Sequence, residues 1–226
     1  MRNHNIRGRF WGRSFACLFL LCAAATFVSA GEPKAPEEMV LIPAGEFLAG
    51  EVDAPRRMKV NAFYMDKYEV TQSKYEKTMN VNPSKHKGPD HPVDTVSWHE
   101  AKEFCEKLGK RLPTEWEWER AAKAGSSTKY YWGEVGNSHF ASFDGAWPDG
   151  HFPVGQRKPN AFGLYDMSGN VWEWTSTSEG KNKVLRGGSW FSSAHWVRSA
   201  VRITNPPTRR NPDMGFRCAK SVPATA

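Results

Sequence analysis

The sequence predicts an α+β domain poor in regular secondary structure. Three helix starts in its first half carry visible capping chemistry, and short apolar runs precede them. From Tyr130 to the end helical periodicity is absent, and glycine, proline, asparagine and tryptophan dominate around brief strand candidates. A long irregular stretch normally argues against a compact domain. Here it is what a loop-rich α+β fold gives when ions or aromatic rings replace regular ladders.

The first thirty residues read as an export signal rather than as structure. Arg2, Arg7, Arg9 and Arg13 form a basic start without acids, an apolar run extends from Phe15 to Val28, and Val28-Ser29-Ala30 offers small residues for cleavage before Gly31. The alternatives are a retained anchor and lipid attachment at Cys22. A spanning helix needs about 20 apolar residues, and Leu21 stands before Cys22 where a small residue belongs. The expectation is therefore a periplasmic or secreted protein with no membrane span once the signal is cleaved. Losing the four leader arginines lowers the formal charge from +7 to +3. Little remains of an electrostatic case for nucleic acid, and Arg198, Arg202, Arg209 and Arg210 read as structural or cleft arginines.

Residues 31–38 contain two prolines and no apolar periodicity, so they predict a tether. The globular part is expected over 39–220, with a disordered tail at 221–226. Met39–Gly45 and Phe47–Gly50 read as a short hairpin, and Val60–Met65 as a further strand in which Phe63 alternates with polar neighbours. Thr71 is placed to cap a helix over Gln72–Met79 with Tyr75 and Met79 on one face. Ser97 with Glu100 forms a capping box, in which each side chain satisfies an orphan amide of the other residue. Behind it Trp98, Ala101, Phe104, Cys105 and Leu108 recur at helical spacing up to Gly109. Thr114 with Glu117 repeats the device for a helix that turns Trp118, Ala121 and Ala122 inward and stops at Gly125. Further strands are expected at 171–175, 183–186, 197–202 and 215–219.

Cys17 and Cys22 leave with the signal, so Cys105 and Cys218 remain. In an exported chain they form one disulfide or stay as two buried thiols. The seven histidines contain no pair close in sequence, and His99-Glu100 lacks the second histidine of a metalloprotease motif. No phosphate-cradling glycine loop is present.

Four blocks in order carry a family resemblance: Met39–Gly45; Pro92–Trp98 with Arg111–Glu117; Phe162–Trp174; and the frame from Arg186-Gly187-Gly188-Ser189-Trp190 to Gly215-Phe216-Arg217-Cys218. Together they resemble the formylglycine-generating enzyme (sulfatase-modifying factor) family. The resemblance implies a single C-type-lectin-like domain in which Cys105 and Cys218 are bridged. It also implies structural calcium held by the side chains of Asp166 and Glu173 and the carbonyls of Gly169 and Val171. Such a set suits a hard cation, which takes carboxylate and backbone oxygens. A hydrogen-bonded turn without an ion is the alternative. A second family calcium site would fall at His139–Asp144, where Ser142 replaces the asparagine expected.

Family members that oxidise a substrate cysteine hold copper with a cysteine pair, whose positions here are Ser192 and Val197. Soft thiolates suit copper(I); a hydroxyl and an isopropyl group do not. No copper and no standard cysteine oxidation are therefore expected. The candidate cleft retains Ser189, which matches a cleft serine of the family, with Trp190, Ser192, His195, Trp196, Arg198 and Arg202. His195 could serve as a base or ligand, although a histidine beside tryptophans is more often packed. The expected role is an exported accessory, maturation or ligand-binding protein whose cleft takes a protein, peptide, glycan or small molecule. The alternative is a noncanonical oxidase or formylglycine-generating enzyme. Relatives lacking the pair include iron oxygenases that work with an extra domain, for which this chain has no room.

Overall fold

Local capping fixes the three helices where the sequence places them. In a computed structural model describing residues 38–139, 141, 143 and 150–223, α1 spans Gln72–Met79, α2 Trp98–Lys107 and α3 Glu115–Lys123. Thr71 Oγ1 accepts the Lys74 amide at 3.3 Å. Both capping boxes form: Glu100 accepts the Ser97 amide at 2.9 Å, and Glu117 accepts the Thr114 amide at 2.8 Å. The apolar faces then bury Tyr75, Phe104, Cys105, Trp118, Ala121 and Ala122. Leu108 departs from its expected place in that pattern: it is the C-cap of α2 and is exposed. The expected signal, the tether apart from Glu38, and residues 224–226 of the tail lie outside the described residues.

The expected N-terminal hairpin does not form. β1 (Met39–Ile42) pairs with β4 (Phe63–Asp66), whereas β2 (Gly45–Ala49) pairs with β3 (Arg56–Val60). Arg120 accounts for the break, because its guanidinium donates to the Pro43 carbonyl at 2.8 and 3.0 Å and to that of Glu46 at 3.3 Å. The turn is thereby tied to α3 and the two strands part. Nor does β4 alternate: all four of its residues are buried, as in a strand covered on both faces.

β5 (Trp172–Glu179), β6 (Asn182–Arg186), β7 (Arg202–Asn205) and β8 (Met214–Gly215) make a sheet in the order β7-β6-β5-β8, with β5 and β8 parallel. The strand expected over 197–202 is instead a 3₁₀ turn, Ala194–Val197, followed by β7. β9 (Ala219–Ser221) closes the sheet β1-β4-β9 and runs one residue past the expected domain end.

Two clusters form most of the core. One gathers Tyr75, Phe104, Trp174 and Phe216; the other joins Ile42, Phe63, Met65, Trp118, Leu164 and Met167. Cys105 on α2 is bridged to Cys218, 113 residues away in sequence. No helix among the described residues is long and apolar enough to cross a membrane.

Candidate functional site

The loop entering β5 brings the expected calcium residues into a buried acidic cluster. Asp166, Gly169 and Asn170 adopt positive φ of 57°, 86° and 62°, so this segment curls tightly instead of extending. Glu69, Asp166 and Glu173 are all buried, and Arg217 is fully buried against them. Arg217 donates to both oxygens of Glu173 at 2.8–3.0 Å, and the Trp118 indole N–H adds a bond of 2.8 Å. Glu69 holds the Val171 amide at 3.1 Å and the Asn170 side chain, while Asp166 accepts the Gly155 amide at 2.6 Å.

Three carboxylates thus share one guanidinium. Burial raises the Asp166 carboxyl to about 6, with Glu173 adding to the effect. Burial, Asp166 and Glu173 together push Glu69 well above the ordinary range. Excess buried negative charge is costly in a low dielectric. A divalent cation would relieve it, and carboxylate oxygens are the donors that calcium takes, although both oxygens of Glu173 already accept hydrogen bonds from Arg217 or Trp118. Glu69 and Arg217 escaped the sequence reading because each reaches the loop from a distant segment. Positions 140, 142 and 144 of the second family calcium stretch lie outside the described residues.

The expected cleft residues do not share one cavity: Trp196 borders two, and Ser189 and Trp190 border neither of them. His195, Trp196, Arg198 and Arg202 border one of about 400 Å³, together with Arg56, Trp116 and Arg186. Two of its arginines are committed to acids: Arg198 pairs with Glu51 at 3.0 Å, and Arg202 with Glu115 at 2.9 Å and Glu179 at 2.6 Å. His195 is exposed, and its Nε2 lies 3.1 Å from an Arg198 guanidinium nitrogen, which donates to it.

Ser192 borders the second cavity, of about 440 Å³, with Trp172, Phe191, Ser193, Trp196 and Ile203. Phe191 is 75% exposed and Trp196 45% exposed. Ser189 is buried; its hydroxyl lies 3.2 Å from that of Ser192 and 3.4 Å from Asp213. Burial raises the Asp213 carboxyl. Two serines and an acid without a histidine do not form a relay that would generate an alkoxide. Val197 is fully buried in a cluster with Tyr130, Ala141 and Phe143. Trp190, half-buried, stands beside His86 with ring centroids 5.6 Å apart.

That contact leads to a group the sequence did not disclose. His151, from a distant loop, joins His86, His91 and Asp94 of one short segment. His151 Nε2 lies 2.8 Å from Asp94 Oδ2, His86 Nδ1 lies 3.7 Å from the same oxygen, and His91 Nδ1 lies 3.1 Å from His151 Nδ1. Asp94 and His151 are fully buried. Burial alone would raise the Asp94 carboxyl, but hydrogen bonds from His151, Thr95 and the Lys85 amide hold it below the ordinary range. Burial and the neighbouring His151 lower His91, favouring its neutral ring.

A mixed α/β domain with a buried acidic loop, an aromatic cleft and a disulfide across its core is of the formylglycine-generating type. Residues 25–222 match the sulfatase-modifying factor enzyme 1-like domain, and the chain belongs to that family. It is 31% identical to a formylglycine-generating enzyme of Bos taurus, over 85% of this chain and 77% of that one. It is 30% identical to a chaperone protein, LppX, of Paenibacillus barcinonensis, over 90% of this chain and 98% of that one. Among solved structures, Treponema denticola variable protein 1 superimposes with a TM-score of 0.75 at 26% identity, covering 81% of this chain and 95% of that one.

Proposed function

We propose that this protein is an exported accessory or maturation factor that binds a protein segment, peptide, glycan or small molecule in its aromatic cleft. In this reading it performs no copper-dependent cysteine oxidation. One observation carries the proposal: at the two positions where oxidising relatives hold thiols, this chain has the hydroxyl of Ser192 and the buried isopropyl group of Val197. Cys105 and Cys218 cannot substitute, because they are joined to each other. The bridge also supports an oxidising compartment, periplasmic or extracellular.

The second cavity falls within the size of ligand sites, about 300–1,000 Å³. Trp172, Phe191 and Trp196 give it flat apolar faces beside the Ser192 and Ser193 hydroxyls, a composition suited to a sugar ring or an aromatic side chain. Calcium at Asp166, Gly169, Val171 and Glu173 completes the proposal as a structural ion. It would hold the acidic loop, which meets the C-terminal frame through the hydrogen bond from the Trp190 amide to the Asn170 carbonyl, 2.9 Å.

The test uses a cysteine-containing sulfatase peptide as substrate. Incubated with the protein, copper and oxygen, the peptide is expected to keep its thiol mass. Appearance of an aldehyde would sink the proposal and restore the oxidase reading. In parallel, a glycan and peptide array should give a bound ligand that Phe191→Ala and Trp196→Ala weaken at least tenfold.

A further inference from the structure

We infer that His86, Asp94 and His151 form a binding site for a divalent transition metal of the zinc class, separate from the acidic loop. The three residues offer one ligand atom each, all within 4.8 Å of one another. Two ligands on a tetrahedral zinc, each at about 2.0–2.1 Å from the ion, lie about 3.3 Å apart. The two separations at Asp94 Oδ2, 2.8 and 3.7 Å, bracket that value. Two imidazoles and one carboxylate make a borderline donor set, which suits zinc and its first-row neighbours better than calcium.

A buried histidine–aspartate hydrogen bond accounts for His151 and Asp94 but not for His86. The His86 Nδ1 atom is buried without a hydrogen-bond partner, an expensive state for a polar group. It lies beside the oxygen that already faces His151. A cation there would supply the missing partner. The surrounding backbone is shaped to admit these rings. A Cβ at Gly150 would stand 2.7 Å from the His86 ring, and one at Gly88 would stand 2.4 Å from that of His91.

The outer shell is also in place. Asp94 Oδ1 accepts the Lys85 amide at 2.8 Å and the Thr95 hydroxyl at 2.5 Å, while Oδ2 accepts the His86 amide at 3.2 Å and turns its remaining lone pair to the site. Once Nε2 of His151 is a ligand, its ring proton sits on Nδ1 and is donated to His91, 3.1 Å away. That is the arrangement by which a metal-bound histidine is oriented through its second nitrogen. Three protein ligands leave one position open, as in zinc sites that carry water. The Trp190 indole N–H, buried without an acceptor on a ring next to His86, has a natural partner in such a water.

The experiment uses the full chain purified without a polyhistidine tag, stripped of metal, and incubated with zinc in the presence of excess calcium. After desalting, metal analysis is expected to find one zinc per chain. His86→Phe removes no hydrogen bond to the rest of the protein, so its metal-free melting temperature should match that of the wild type. Its zinc affinity should fall at least 100-fold. His91→Gln, which alters only the outer shell, should weaken binding about 10–100-fold. The site is refuted if the wild type retains no zinc, or if His86→Phe retains as much as the wild type.

Discussion

The most exposed energetic commitment of this protein is a single buried guanidinium. Arg217 stands between Glu173 and the carbonyls of Asp66, Lys67 and Tyr165, and its charge acts on all three buried carboxylates, Glu69, Asp166 and Glu173. In calcium-free protein, replacing it with methionine keeps the volume and removes the guanidinium that hydrogen-bonds Glu173 and favours the charged forms of Glu69 and Asp166. Removing one partner of a buried pair costs about 3–5 kcal/mol, so Arg217→Met should lower the urea midpoint of unfolding accordingly. A loss under about 1 kcal/mol would mean that protons on the buried carboxyls already neutralise the cluster. Asp166 and Glu173 could be picked out in the sequence because both fall in one short motif. Arg217 and Glu69 could not, since a carboxylate's partner is chosen by the fold and both lie far from the motif in sequence. The histidine group is the extreme case: His86 and His91 come from one loop and His151 from another, and only folding makes them neighbours.

At the scale of elements, what the sequence revealed was whatever is decided within a few residues. Capping boxes act over three positions, so α2 and α3 could be placed before any tertiary contact was known. The hairpin expected at Met39–Gly50 failed because Arg120, more than seventy positions away, holds the turn between β1 and β2. Likewise the segment around Ala194–Val197 has the β-branched and aromatic residues of a strand, but Val197 is drawn into the cluster of Tyr130 and Phe143 and the chain turns. The capping carboxylates also set a pH dependence. Burial alone would raise Glu117, but the Arg111 guanidinium with the Thr114 amide and hydroxyl brings it below its reference of 4.5. A carboxyl depressed in the folded state contributes stability that is complete above the reference value and is lost as pH falls through the folded one. The gap in unfolding free energy between the wild type and Glu117→Gln should therefore be widest near neutral pH and close as the solution is acidified below 4.5. An unchanging gap in a pH series of urea melts would show that the side chain acts through packing alone.

Across the whole molecule, regular ladders are few and long-range ties take their place. The Cys105–Cys218 bridge closes a loop of just over a hundred residues, which in the chain-entropy account is worth about 4–5 kcal/mol. Calcium on the acidic loop is proposed to act in the same way, through a ligand that the unfolded chain cannot assemble. A ligand at 100 times its dissociation constant stabilises by about 2.7 kcal/mol, so calcium-free protein should melt several degrees lower and recover when calcium is restored. A general chelator would strip the proposed zinc as well, so the melt must be read on variants. Asp166→Asn should abolish the response to added calcium and leave the response to zinc. His86→Phe should do the reverse. If one variant removed both responses, the two sites would be a single coupled centre. If neither variant altered the calcium response, the buried charge of Glu69, Asp166 and Glu173 would be balanced by Arg217 and protons, with no ion at the loop.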